Sequence, residues 1–215
     1  DEDLPILSDV VKKSKPMKPE EVIIPINENI HLIPSTPVNQ MLETDIVTGN
    51  VSSRSLHKVF KNLFTPELKK EYDYIIIDSA PAINSTNSAL FLMSNKIILP
   101  INPDAYSVIS LRQTLETINN LKQDFKEIKW KPELNILLTK YDSRERSSLR
   151  VLAALMESYE DLILQTVIRN SVHVRSVIFE ERNLFEKSSA PMEDFDDLVK
   201  EIMNFKSINK KLKSN

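Results

Sequence analysis

The run Tyr72-Asp73-Tyr74-Ile75-Ile76-Ile77-Asp78-Ser79-Ala80-Pro81 constrains this chain more than any other stretch. Four apolar or aromatic residues in succession, 74–77, suit a central strand of a parallel sheet covered on both faces, where hydrophobicity is continuous rather than alternating. The run therefore predicts a buried strand over 73–78 that ends in a carboxylate at the carboxyl edge of a sheet. In open α/β sheets ligands bind at that edge, and an Asp there can hold a Mg2+-bound water beside a nucleotide phosphate. The other reading of the same residues is that Asp78 caps the helix or turn that follows.

Short β-branched runs alternate with helical patterns along the rest of the chain, which predicts βα units and a mostly parallel sheet flanked by helices. Strands are expected at 21–26, 30–33, 73–78, 96–101, 134–139 and 164–168. Helices are expected at 38–44, 53–69, 85–93, 105–124, 144–158, 171–179 and 192–205. In the helix over 105–124, Val108, Leu111, Leu115, Ile118 and Leu121 recur at spacings of three and four and predict a face packed on the sheet, with Arg112, Glu116, Asn119 and Lys122 opposite it in solvent.

Composition narrows the function classes. With 215 residues, 41% hydrophobic and 27% charged, the chain supports one substantial core without disulfides or metals, and 1–215 is read as a single domain. It has no cysteine, which removes a disulfide framework, a thiol nucleophile and thiolate metal sites. His31, His57 and His173 are scattered, without a paired carboxylate or second histidine at ligand spacing. The acids Glu180, Glu181, Glu193, Asp194, Asp196 and Asp197 read as helix-dipole partners. No apolar run approaches the length of a membrane span and no signal-peptide pattern is present, so a cytoplasmic protein is expected. A net charge of −3 argues against a wholesale nucleic-acid coat while leaving room for a local basic patch. At the ends, Lys12-Lys13-Ser14-Lys15-Pro16-Met17-Lys18-Pro19 reads as a basic, proline-punctuated loop, and 206–215 as a basic, frayed tail.

The motifs add a resemblance. Tyr72 to Pro81 is similar to the Walker B strand of the ParA/Soj/MinD family of deviant Walker (P-loop) partition ATPases, with Ala80 in place of a proline. In the same order follow Lys96-Ile97-Ile98-Leu99-Pro100-Ile101, then Leu137-Leu138-Thr139-Lys140-Tyr141-Asp142-Ser143-Arg144, which resembles the family's L-L-T-x-[YF]-D-x-R. Ile168-Arg169-Asn170 resembles its P-R-N element without the proline. The resemblance runs from about 71 to 190, and more weakly upstream, where Leu4-Pro5-Ile6-Leu7-Ser8-Asp9-Val10-Val11 resembles a helix that follows the family's second strand.

The resemblance implies a P-loop NTPase-like α/β fold and an ATP-driven dimer switch in plasmid or chromosome partition. Residue by residue, it implies that Asp78 is catalytic and organises the Mg2+ water shell, and that Thr139, Asp142, Arg169 and Asn170 lie near the base of ATP. It puts Arg144, Arg146, Arg150 and Arg175 in a patch for non-specific DNA. A homodimer, a centromere-binding ParB-like partner and a nucleoid-associated, cytoplasmic location are further implications; a membrane is not an expected partner.

One element is missing. A P-loop needs glycines that let the backbone approach phosphate, with a lysine and a Ser/Thr. The chain has a single glycine, Gly49, and no such motif, so it is not expected to bind ATP in the family's way as it stands. Two readings account for this: an N-terminal segment carrying the first strand, P-loop and first helix is absent, which is favoured, or the chain is a non-catalytic pseudo-ATPase scaffold that binds DNA or a partner protein. A MinD-like, membrane-associated positioning ATPase is a third reading, resting on the amphipathic spacing of Phe205, Ile208 and Leu212 among lysines.

Overall fold

A computed structural model describes residues 18–35, 64–79, 84–179 and 190–212. The expected helix at 38–44, most of that at 53–69, and Ala80, Pro81 and 4–11 lie outside the described residues. Backbone contacts divide the chain into two compact units, one formed by 1–94 with 117–130, the other by 95–116 with 131–215.

The first unit opens on a short helix, α1 (Pro19–Val22), followed by an antiparallel pair, β1 (Ile24–Pro25) and β2 (His31–Leu32). The strand expected over 21–26 is cut short because Pro19 sits at the first helical position and the Glu21 carboxylate accepts the Lys18 N–H at 2.7 Å, both of which start a helix. Asn27 turns the hairpin by accepting the Asn29 and Ile30 N–H groups on its side-chain oxygen. A one-turn helix, α2 (Leu68–Glu71), is capped by Thr65 Oγ1. Helix α3 (Ser85–Met93) matches the predicted bounds and is capped by Asn84, whose Oδ1 accepts the Asn87 N–H at 2.8 Å.

The predicted strand over 73–78 is corrected. Residues 74–79 belong to no strand, and Tyr74, Ile75 and Ile76 are exposed, Ile76 at 91%. A strand is a hydrogen-bonded pairing, and among the described residues no neighbour pairs with this run.

The second unit holds the parallel sheet. Strand β3 (Lys96–Ile101) pairs in parallel with β4 (Glu133–Leu138), from Lys96 opposite Glu133 to Ile101 opposite Leu138. The strand expected at 164–168 is corrected: these residues form no strand, and a third segment, 163–169, is tied to the sheet by isolated parallel bridges at its two ends, Ile136 with Ile163 and Tyr141 with Arg169. Leu164 N–H and Ile168 N–H donate to the carbonyls of Ile136 and Leu138 at 2.9 Å each. Helix α4 (Ala105–Asp124) follows β3 and matches its predicted bounds; its residues 105–116 belong to this unit. Leu111 is buried, and Val108 and Leu115 pack with Ile101, Ile136, Leu138 and Leu155. Helix α5 (Arg146–Tyr159) closes that side of the sheet through Leu155, Val151 and Leu152. A short helix, α6 (Val172–Phe179), precedes α7 (Ala190–Leu212), which covers the other face. There Leu198, Phe195 and Ile202 pack on Leu137, Leu164, Ile168 and Ile98. Alternation along β4 divides the faces: Ile136 and Leu138 point to one core and Leu137 to the other.

Candidate functional site

Because β3 and β4 are paired to their last residues, the turns that follow them open at one level, and the third segment adds its own turn beside them. Thr139 joins the first two. Its N–H donates to Ile101 O at 2.8 Å, and its hydroxyl lies 3.1 Å from the same carbonyl and 3.2 Å from Asn102 Oδ1. Lys140 adopts φ 52°, a left-handed conformation that is uncommon outside glycine and recurs at functional sites. That bend aims Tyr141 along the third segment: Tyr141 N–H donates to Ile168 O at 3.0 Å, and Asn170 N–H donates to Tyr141 O at 2.9 Å. The structure thus brings Thr139, Asp142, Arg169 and Asn170 to the carboxyl edge of one sheet.

Two carboxylates on this edge are held ionised by local hydrogen bonds. Asp142 accepts the Arg144 N–H at 3.0 Å and grips its guanidinium through both oxygens, at 2.9 and 2.7 Å. These bonds, the guanidinium first, lower the Asp142 pKa to about 2. Asp104 caps α4 by accepting the Ser107 N–H at 2.8 Å and its hydroxyl at 2.9 Å, and the backbone bond leads in holding its pKa below the ordinary value. The signal for Asp104 is legible as an Asp three residues ahead of a Ser at a helix start. Neither Asp104 nor Asn102 was among the residues expected at the site.

Arg169, expected beside a base, is engaged by α7. Its N–H donates to Asp194 Oδ2 at 2.9 Å, and its Nε and Nη2 donate to Asp194 Oδ1 at 2.9 and 2.7 Å. Glu193 stands 3.7 Å from Nη2. The reading of the acids of 193–197 as helix-dipole partners is extended for one of them: Asp194 lies in the first turns of α7, and its partner is a side chain 25 residues away. Asp197 pairs with Lys200.

The arginines expected in a patch fall into three cases. Arg144 is 88% exposed with its guanidinium on Asp142. Arg146 and Arg150 are exposed one turn apart at the start of α5. Arg175 lies on α6, its side chain outside the described residues. Asp78 is exposed and belongs to the first unit, whereas the four gathered residues belong to the second.

The fit to a magnesium nucleotide is partial. The edge offers Asn170 and Thr139 as polar groups where a base and sugar could be recognised. For phosphate and metal the chain offers no glycine-rich loop, and no cluster of three or more His, Cys, Asp or Glu suited to a metal occurs among the described residues.

Comparison with known proteins adds a family. A family model described as an AAA domain matches residues 5–136. An uncharacterized protein of Methanocaldococcus jannaschii is 28% identical over 167 residues, covering 78% of this chain and 62% of that protein. The sporulation initiation inhibitor protein Soj of Bacillus subtilis is 26% identical over 182 residues, covering 81% of this chain and 67% of Soj. A ParA family protein of Mycoplasma pneumoniae is 23% identical over 173 residues, 80% of this chain and 56% of the relative. The chain thus spans 56% to 67% of the length of these relatives. Among solved structures, the Cyanothece McdA–ATP complex superposes with a TM-score of 0.79 at 22% identity, over 94% of this chain and 76% of McdA. A putative plasmid partition protein from Borrelia burgdorferi bound to AMPPNP gives 0.69 at 19% identity, over 93% and 74%. At these identities the structural likeness shows a shared fold, a P-loop-type α/β architecture.

Proposed function

Since this chain belongs to the AAA domain family and, within it, to the ParA/MinD-type partition ATPases, we propose that it works as an ATP-dependent partition protein. The observation that carries the proposal is the convergence of Thr139, Asp142, Arg169 and Asn170 on one sheet edge, held by backbone bonds between their turns. Thr139 and Asn170 then face the base, and Asp142 stiffens the turn through Arg144; by the family resemblance Asp78 is assigned to the Mg2+ water shell. Nucleotide-bound homodimers hold DNA without sequence preference, and a centromere-binding ParB-like protein stimulates hydrolysis and release, in a cytoplasmic, nucleoid-associated cycle. Arg146 and Arg150, exposed at the N-terminus of α5, suit phosphate contacts. No helix among the described residues is long and apolar enough to cross a membrane.

Calorimetric titration of Mg-ATP tests this reading, on this chain and on a version extended upstream by whatever the gene encodes. Binding by the extended form alone supports the ATPase with its phosphate grip upstream of Asp1. Silence from both, with the chain cooperatively folded, favours the non-catalytic scaffold. For DNA, Arg146→Ala and Arg150→Ala should each reduce the slope of log affinity against log salt by about 1, with no change in sequence preference.

A further inference from the structure

The third segment beside the sheet is held from two sides, and among the described residues its outer side is held by carboxylates. Leu164 and Ile168 donate inward to β4. Facing away from β4, Gln165 N–H donates to Glu201 Oε1 at 2.7 Å, Thr166 N–H to Glu201 Oε2 at 2.8 Å, and Arg169 N–H to Asp194 Oδ2 at 2.9 Å. All three acceptors belong to α7. Asp194 and Glu201 are two helical turns apart, about 10 Å along the axis. Between Gln165 and Arg169 the segment is bulged rather than fully extended, since Leu164 and Ile168 reach carbonyls only two residues apart on β4, and the order of the bonds along it runs opposite to the order of the acids on the helix. The helix therefore lies along the segment in the opposite sense, Asp194 at the late end and Glu201 at the early end. Leu198, on the same helix face between the two acids, is buried against Leu164 and Ile168 and fixes the spacing.

We infer that Asp194 and Glu201 are positioning residues for the ligand edge: α7, together with the sheet, sets where Arg169 and, through it, Asn170 stand. Backbone N–H groups that face away from a sheet must find acceptors, and here two carboxylates supply them with charge-assisted bonds. Asp194 also takes the Arg169 guanidinium, which fixes backbone and side chain of one residue with a single group. Whatever binds at Asn170 is linked to the seating of α7, and the linkage is reciprocal. The inference rests on the nucleotide reading only for the identity of that ligand.

Amide hydrogen exchange on the full chain decides it. Asp194→Ala should speed exchange at Arg169 and Asn170 by about tenfold, and Glu201→Ala should do the same at Gln165 and Thr166, while the β4 amides keep their protection. Asp194→Asn, which retains a side-chain oxygen for the Arg169 N–H, should restore most of the protection. Asp197→Ala, on the same helix but paired only with Lys200 among the described residues, should change none of these amides. Unchanged exchange at Arg169 and Asn170 in Asp194→Ala would overturn the inference, as would acceleration spread evenly over the whole unit, which marks general stability instead. Mg-ATP titrated into the same proteins and into their upstream-extended forms separates the ligand from the positioning. Binding weakened about fivefold or more in Asp194→Ala supports both, and equal binding by wild type and variant overturns the link to ligand. If neither the chain nor its upstream-extended form binds, the nucleotide reading fails and the exchange pattern alone decides the positioning.

Discussion

Two runs of nearly the same character have different fates in this molecule. Residues 74–77 are Tyr-Ile-Ile-Ile, and β3 begins Lys-Ile-Ile-Leu. The second is a strand in register with β4, with Ile97 and Ile101 buried. The first is exposed and unpaired among the described residues, with Ile76 at 91%. Apolarity and β-branching make a run fit for a strand, but the backbone of a neighbour makes it one, and burial follows from the layers stacked on the resulting pair. β4 is flanked by β3 and the third segment, with α4 and α5 over one face and α7 over the other; its last four residues are buried accordingly.

Core truncation tests that contrast most directly. Ile136→Ala and Leu138→Ala remove side chains with no exposure and should each lower the unfolding free energy by about 2–5 kcal/mol in urea titrations. Ile76→Ala should change it by less than about 0.5 kcal/mol. A loss at Ile76 as large as that at Ile136 would break the comparison, because it would mean that 74–77 is packed in solution. Loss at Ile76 confined to a version extended upstream would sharpen it, by showing that the run acquires its neighbour from outside this chain.

Smaller effects are expected at the edge that follows β3 and β4. Asp104→Ala removes the cap of α4 and should cost about 1 kcal/mol, with Asp104→Asn costing only a few tenths, since Asn is an equally good cap. Thr139→Val keeps the shape and removes the hydroxyl contacts with Ile101 and Asn102, at a cost of about 1 kcal/mol. If the Asp104 loss persists undiminished in the Asn variant, charge on the helix dipole rather than the cap bond holds the turn.

Local signals in the sequence carried much of this fold. Helices 85–93 and 105–124 and the strand at 96–101 are bounded as predicted, because caps such as Asn84 and a regular apolar spacing act over a few residues. The Thr139–Asp142 and Ile168–Asn170 turns were legible as motifs, and the parallel bridge between Tyr141 and Arg169 brings them together. The grip of Asp194 on Arg169 and of Glu201 on Gln165 and Thr166 was not legible. An acid near a helix start, as Asp194 is, is expected for dipole reasons alone, and one in mid-helix, as Glu201 is, reads as a solvated side chain, so nothing in their spacing distinguishes a partner 25 or 36 residues distant. The unpaired state of 74–79 was hidden for a related reason: pairing belongs to two segments, and a run carries information about only one.

The finest test concerns the turn that carries Asp142. Its pKa is lowered to about 2 from 3.8 by the Arg144 guanidinium and N–H, so the folded state favours the carboxylate more than the unfolded chain does. A depressed carboxyl pKa contributes stability that is fully present above the unfolded value and is lost as pH falls through the folded one, here between about pH 4 and 2. Arg144 is 88% exposed, so solvent and salt screen the pair and the contribution to global stability is small. The titration itself is the better readout. Carboxyl NMR on wild type should place Asp142 near 2, and Arg144→Gln should move it back toward 3.8, with only the remaining backbone bond holding it down. An Asp142 that already titrates near 3.8 in wild type would show that the turn is open in solution. The ordered edge would then be confined to the Thr139 and Arg169 contacts, and the distinction between the two regions would narrow to the strands themselves.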